Sequence, residues 1–283
     1  MQTAPCIVPV LAGGGARLPA HIGILEALQT LGLGFDNLVG VSGGSIVGAL
    51  CAAGTPLAAI RQLSHSTDFS RFSGQNLLSL LRTGGLSSGN RFEAWMDEAL
   101  EGRTFAAMPL GFHVLATDVR SGRPVVFNRQ THPDMRVSQA VRCSMSVPIL
   151  FSFKPIGDQL LVDGSILSEE ALQRDWTGQG RPVVVFKLRS SEGRRARQWT
   201  SRLPLHSYLE MLMHTFMTAL SREYINDQFW LSTIVVETGD ISPFDLRLTE
   251  ADKDRLYHAG RDTTLQILPR KLEQRGIQPS PHP

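Results

Sequence analysis

Cysteine is scarce. The 283-residue chain has three, Cys6, Cys51 and Cys143, far apart and with no paired spacing, and two of them sit inside apolar segments. That excludes a disulfide framework or a zinc site of the usual spacing and reads as reduced, buried thiols. Net charge is also small: 28 Lys and Arg against 26 Asp and Glu leave +2, with no long basic stripe carrying interleaved aromatics. Nucleic acid is therefore not an expected partner. No apolar run approaches the ~20 residues that span a bilayer, and no charged segment followed by a long hydrophobic one opens the chain. The expected location is the cytoplasm, although an export route without a cleaved signal leaves no mark of this kind. Neither Gly-X-Gly-X-X-Gly nor a phosphate loop ending in Lys-Ser/Thr is present, so no nucleotide cofactor is called for. With no repeats and no biased segments, the expectation is one domain over residues 1–276 and a disordered Pro-rich tail over 277–283.

What is present centres on Gly40-Val41-Ser42-Gly43-Gly44-Ser45. This Gly-X-Ser-X-Gly pattern lies between an apolar run ending in Leu38 and Val39 and a small-residue run from Ile46 to Ala53 that reads as a buried helix. Strand, sharp turn and helix lift a serine hydroxyl clear of the sheet, beside the N–H groups of a helix N-terminus. Ser42 is the candidate nucleophile, and a chance Gly-Ser turn is the alternative.

Upstream, the apolar run Cys6 to Leu11 passes directly into Gly13-Gly14-Gly15-Ala16-Arg17. A helix is predicted from Pro19 to Leu31, with apolar residues at Ile22, Leu25, Leu28 and Leu31 and Gly32 at its end. The first ~55 residues thus form a βαβα unit with a parallel sheet. Downstream, helical patches are expected between Thr55 and Leu81, a loop around Gly84 to Gly89, and a helix over Arg91 to Leu100. Strands follow at Gly111–Val119 and Arg123–Asn128, a short helix at Val137–Met145, and a clipped strand at Leu160–Val162 that stops at Asp163-Gly164. Arg181 to Leu188 is the most strand-like run, with a further strand at Thr233–Val236 and helices over Leu205–Trp230 and Thr249–Arg275. The polar stretch Ser190 to Arg202, holding Arg194, Arg195, Arg197, Trp199 and Arg202, reads as a solvated loop or as a surface meeting anionic lipid headgroups.

A serine hydroxyl needs a base and donors for the developing oxyanion. The Gly13–Gly15 loop at a strand-to-helix junction supplies backbone donors. The base is less evident. An ordinary α/β-hydrolase has several strands before its elbow, whereas here only two fit before residue 42. None of the eight histidines stands in a pattern that marks a base, and His113, His206 and His214 stay open. Asp163, closing a strand before Gly164, sits where open α/β sheets collect active-site residues, or is simply a turn residue.

Four segments in order make the chain resemble the patatin-like phospholipase family: Gly13 to Arg17, Gly40 to Gly44, the Ala/Ser-rich run Ala140 to Pro155, and Asp163-Gly164-Ser165. Ala116-Thr117-Asp118 and Gly239 to Ser242 also resemble bacterial members. The resemblance implies an α/β three-layer sandwich with a mostly parallel central sheet. It also implies lipid acyl-ester hydrolysis by a Ser42–Asp163 dyad with neither metal nor cofactor, and an oxyanion or substrate-binding loop of Gly13, Gly14, Gly15, Ala16 and Arg17. Arg17 would lend charge to that loop or to a substrate phosphate, the alternative being a surface arginine at a helix start. One departure is Leu18-Pro19 after Arg17, where the family usually has glycine first. Two other readings stay open: an esterase or acyltransferase with a Ser-His-Asp triad, and a silent module that binds acyl chains or a protein. The expected partner is a lipid substrate, met by transient contact with a membrane surface. Residues 55–110 are the expected helical cap, with Leu77, Leu78, Leu80 and Leu81 as its apolar surface or as core.

Overall fold

In the computed structural model the described residues are 7–73, 84–166, 169–190 and 227–277. Cys6, the leucines at 77, 78, 80 and 81, the arginine-rich stretch after Ser190, His206, His214, most of the helix expected over Leu205–Trp230 and the tail after Ile277 lie outside them. Of that range only Asp227 to Trp230 is described, and it lies in a 3-10 helix, Asp227–Ser232.

Ten strands and seven helices are named in chain order. The strands are β1 (Val8–Ala12), β2 (Asn37–Val41), β3 (Gly85–Ser87), β4 (Gly111–Asp118), β5 (Arg123–Phe127), β6 (Ile149–Phe151), β7 (Lys154–Ile156), β8 (Gln159–Asp163), β9 (Val183–Arg189) and β10 (Thr233–Glu237). The helices are α1 (Leu18–Thr30), α2 (Gly43–Ala52), α3 (Leu57–Ser66), α4 (Asn90–Ala99), α5 (Val137–Ser144), α6 (Glu169–Leu172) and α7 (Glu250–Gln274).

The main sheet runs β10-β9-β1-β2-β4-β8-β7, with β5 also on β4. From β10 to β4 every pairing is parallel, while β5, β7 and β8 add antiparallel pairs. Strands buried on both faces need no polar alternation, which is why β1 and the first four residues of β9, Val183 to Phe186, read as unbroken apolar runs. Their side chains still divide by the strand's period of two. Leu11, Leu38, Val114, Phe186 and Val236 enter one apolar core with helices α1, α2 and α7. Val10, Val39, Val41, Leu115 and Val185 enter a second, shared with Leu172 of α6 and Trp176. The fold is thus a three-layer α/β arrangement around a mostly parallel sheet.

On the first face α1 crosses α7 closely. A Cβ at Gly23 would lie 2.1 Å from the Tyr257 carbonyl, and one at Gly260 2.0 Å from that of Ala20. Two glycines facing each other let the backbones touch. The loop expected around Gly84 to Gly89 contains instead the short strand β3, paired in parallel with β6 as a separate two-stranded sheet.

Pairing along β4 brings the site together. Val41, the last residue of β2, is opposite Leu115, and Asp163, the last of β8, is opposite Ala116. Because β5 takes the other edge of β4 over Val114 to Asp118, β2 and β8 must share one edge. They run in opposite directions along it and meet end to end. The residue after Val41 is Ser42.

Candidate active site

Ser42 has φ 52° and ψ −130°, a left-handed conformation rare outside glycine. Three contacts hold it there. Its N–H donates to Ser144 Oγ (2.8 Å), while its carbonyl accepts from Ser45 N–H (2.9 Å) and Ser45 Oγ (2.6 Å). The flanking glycine at 44 is required by close approach, since a Cβ there would stand 2.1 Å from the Leu11 carbonyl.

The Ser42 hydroxyl donates to Asp163 Oδ2 at 2.7 Å and lies 3.9 Å from the Met145 sulfur. Ser42 is 2% exposed and Asp163 fully buried. Asp163 is fixed by its backbone, with N–H to the Ser146 carbonyl (3.0 Å) and carbonyl from Thr117 Oγ1 (3.1 Å). Its Oδ1 accepts from Ser165 N–H (2.7 Å). Burial pushes its pKa above the ordinary carboxylate range, opposed by the hydrogen bonds from Ser42 and Ser165. A raised pKa makes a carboxylate a better proton acceptor near neutral pH.

The glycine loop has three successive positive φ angles at Gly13, Gly14 and Gly15. In a trans peptide the N–H of one residue points opposite to the carbonyl before it. The Gly13 carbonyl accepts from Gly44 N–H (2.9 Å) and lies 3.0 Å from His21 Nε2. The Gly14 carbonyl accepts from Arg17 N–H (3.0 Å) and Arg17 Nε (3.1 Å). The N–H groups of Gly14 and Gly15 are thereby turned away from these anchors, and nothing among the described residues accepts from them. The other three expected loop donors are committed elsewhere: Gly13 N–H to the Val41 carbonyl, Ala16 N–H to that of Pro243 and Arg17 N–H to that of Gly14.

Arg17 is no surface arginine. It is 3% exposed and also donates to Thr238 Oγ1 (2.9 Å) and the Leu188 carbonyl (3.3 Å). Burial lowers its pKa to about 10, and its guanidinium braces the loop. Pro19 falls in the first turn of α1, where its missing N–H costs nothing.

Sequence reasoning missed His21. It is fully buried on α1, and burial, with the Arg17 charge nearby, lowers its pKa to about 4 against a weaker opposing effect of the Gly13 contact. The neutral ring therefore carries its proton on Nε2 to meet the Gly13 carbonyl. A histidine inside a wholly buried helical stretch was the available signal.

Among the described residues no histidine touches the Ser42 hydroxyl. His113 lies on β4 with its ring nitrogens near Asn37 Oδ1 and Asn128 Nδ2, each at 3.2 Å, and its ring packs against Trp176. The two described cysteines are free, and burial lifts Cys51 to about 11 and Cys143 to about 12.

The chain matches the profile of the patatin-like phospholipase family over residues 10–171, more than half its length and a stretch that includes the glycine loop, Ser42 and Asp163. It belongs to that family. An uncharacterised NTE family protein of Mycobacterium tuberculosis is 32% identical over 163 residues, covering 56% of this chain and 26% of that protein. The neuropathy target esterase sws of Drosophila grimshawi is 28% identical over 165 residues, 56% of this chain and 11% of the esterase. The chain thus spans only part of the length of these relatives. Crystalline VipD from Legionella pneumophila shares the fold, with a TM-score of 0.67 at 15% identity over 93% of this chain and 66% of VipD. Among the described residues of this patatin-like chain, no helix is long and apolar enough to cross a membrane.

Proposed function

We propose that the chain hydrolyses carboxylic esters of lipids, as a phospholipase A or lysophospholipase, through Ser42 and Asp163. The 2.7 Å hydrogen bond from a strained, buried serine hydroxyl to a buried aspartate carries this reading. Ser42 Oγ attacks the ester carbonyl carbon as its proton passes to Asp163. The tetrahedral oxyanion is held by Gly14 and Gly15 N–H groups and collapses, and the alcohol leaves with the proton from Asp163. Water, deprotonated by Asp163, then attacks the acyl-enzyme, releasing fatty acid and returning the proton to Ser42. Family membership and the esterase named among the relatives support an ester substrate. Location in the cytoplasm, one domain over residues 1–276 and transient contact with the membrane surface remain part of this proposal.

The test is fatty-acid release from mixed phospholipid vesicles with a chelator present. Wild type is expected to release fatty acid. Ser42→Ala and Asp163→Asn are expected to lose at least about 100-fold of that rate, while His113→Ala keeps it if it folds normally. Release by Asp163→Asn at the wild-type rate would remove the dyad.

A further inference from the structure

Arg142, near the end of α5, is 2% exposed, and no carboxylate among the described residues is in ion-pair contact with it. A buried cation without a counter-ion is costly unless its donors are met. Nη1 donates to Ser146 Oγ (2.5 Å), and Nη2 to the carbonyls of Ser88 (2.6 Å) and Ser152 (2.8 Å). Nε has no acceptor and faces Gly89, where a Cβ would stand only 1.9 Å away. Gly89 is thus packed tightly against the guanidinium. The guanidinium joins three pieces of chain: the last turn of α5 with the residues after it, the end of β3 and the end of β6.

What it joins is next to the reacting pair. Ser144 Oγ receives the Ser42 N–H, Met145 Sδ touches the Ser42 hydroxyl, and the Ser146 carbonyl receives the Asp163 N–H. Three successive residues thus contact both members of the pair. Arg142 holds the third by its hydroxyl and ties the stretch to the β3–β6 sheet. We infer that Arg142 is a positioning residue that sets the Ser42–Asp163 geometry through the Ser144–Ser146 stretch. This rests on the reading of Ser42 and Asp163 as the reacting pair.

The experiment compares wild type, Asp163→Asn, Arg142→Gln, Arg142→Lys and Ser146→Ala in fatty-acid release from phospholipid. Active sites are counted by fluorophosphonate titration and folding by Tm. Misplacing reacting groups by a fraction of an ångström to 1 Å costs about 10- to 100-fold in rate. Arg142→Gln is expected to lose that much in kcat per active site with KM within about two-fold. Its acid limb should move to higher pH, because a loosened Ser42 hydrogen bond no longer lowers the Asp163 pKa. Arg142→Lys should restore part of kcat, and Ser146→Ala should shift the limb in the same direction. A folded Arg142→Gln with wild-type kcat per active site and an unmoved acid limb overturns the inference. If Arg142→Gln fails to fold, an unchanged kcat and limb in Ser146→Ala overturns it. Asp163→Asn at full rate would sink the dyad itself, whereas an inactive Asp163→Asn beside a normal Arg142→Gln sinks only the role of Arg142.

Discussion

Ser42 occupies a backbone conformation that costs a non-glycine residue on the order of 1–3 kcal/mol, and Asp163 is a carboxylate with no solvent around it. Both costs are local and both face each other across one hydrogen bond. For Asp163, burial dominates over the hydrogen bonds that favour its charged form, so its pKa lies above the ordinary value. In the proposed reaction Asp163 must be ionised to accept the serine proton. The rate should therefore fall as pH drops through this raised pKa, and the acid limb of kcat/KM should lie above the ~3.9 of an unperturbed aspartate. A pH–rate profile checks this; an acid limb at or below the ordinary aspartate value would contradict it. The same shift means that the folded state holds this proton more tightly than the unfolded chain. Its contribution to stability is thus greatest at low pH and declines as pH rises from the ordinary range through the raised value.

Elements explain how two residues 121 positions apart come within 2.7 Å. Each lies at the carboxyl end of a strand, which local pattern reveals, but the meeting of β2 and β8 on one edge of β4 is a matter of register that no local pattern carries. The strands β3, β6 and β7 escaped for a related reason: three residues each are too few to display a period. Long, strongly patterned elements were legible instead. The β1-α1-β2-α2 unit and α7 follow their sequence signals closely, α7 starting from a Thr249–Asp252 capping box. The α1–α7 crossing offers a test of packing at this scale. Gly23→Val should lower stability by about 1–3 kcal/mol or more, because the added atoms meet the Tyr257 carbonyl and helix backbone cannot yield as a side chain can. Urea unfolding measures it; a midpoint equal to that of wild type would show that the two helices part without cost.

For the whole molecule, the sheet supplies a rigid platform whose two faces are apolar, and the site collects at its carboxyl edge, where the glycine loop, the elbow and the end of β8 converge. The sequence showed that three such segments exist and in what order. It did not show that Arg17 and His21 anchor the loop: an arginine at a helix start has no local mark of burial, and a histidine on an apolar helix hints at burial without naming its partner. It also did not show which loop N–H groups are committed, because their acceptors, Val41 and Pro243, come from distant segments. The central claim, that Ser42 is the nucleophile and Asp163 its base, is tested most directly by covalent labelling with an acyl-chain fluorophosphonate followed by peptide mapping. One adduct on Ser42 is expected, formed at least about 100-fold more slowly by Asp163→Asn. An adduct on another residue, or labelling of Asp163→Asn at the wild-type rate, would contradict it.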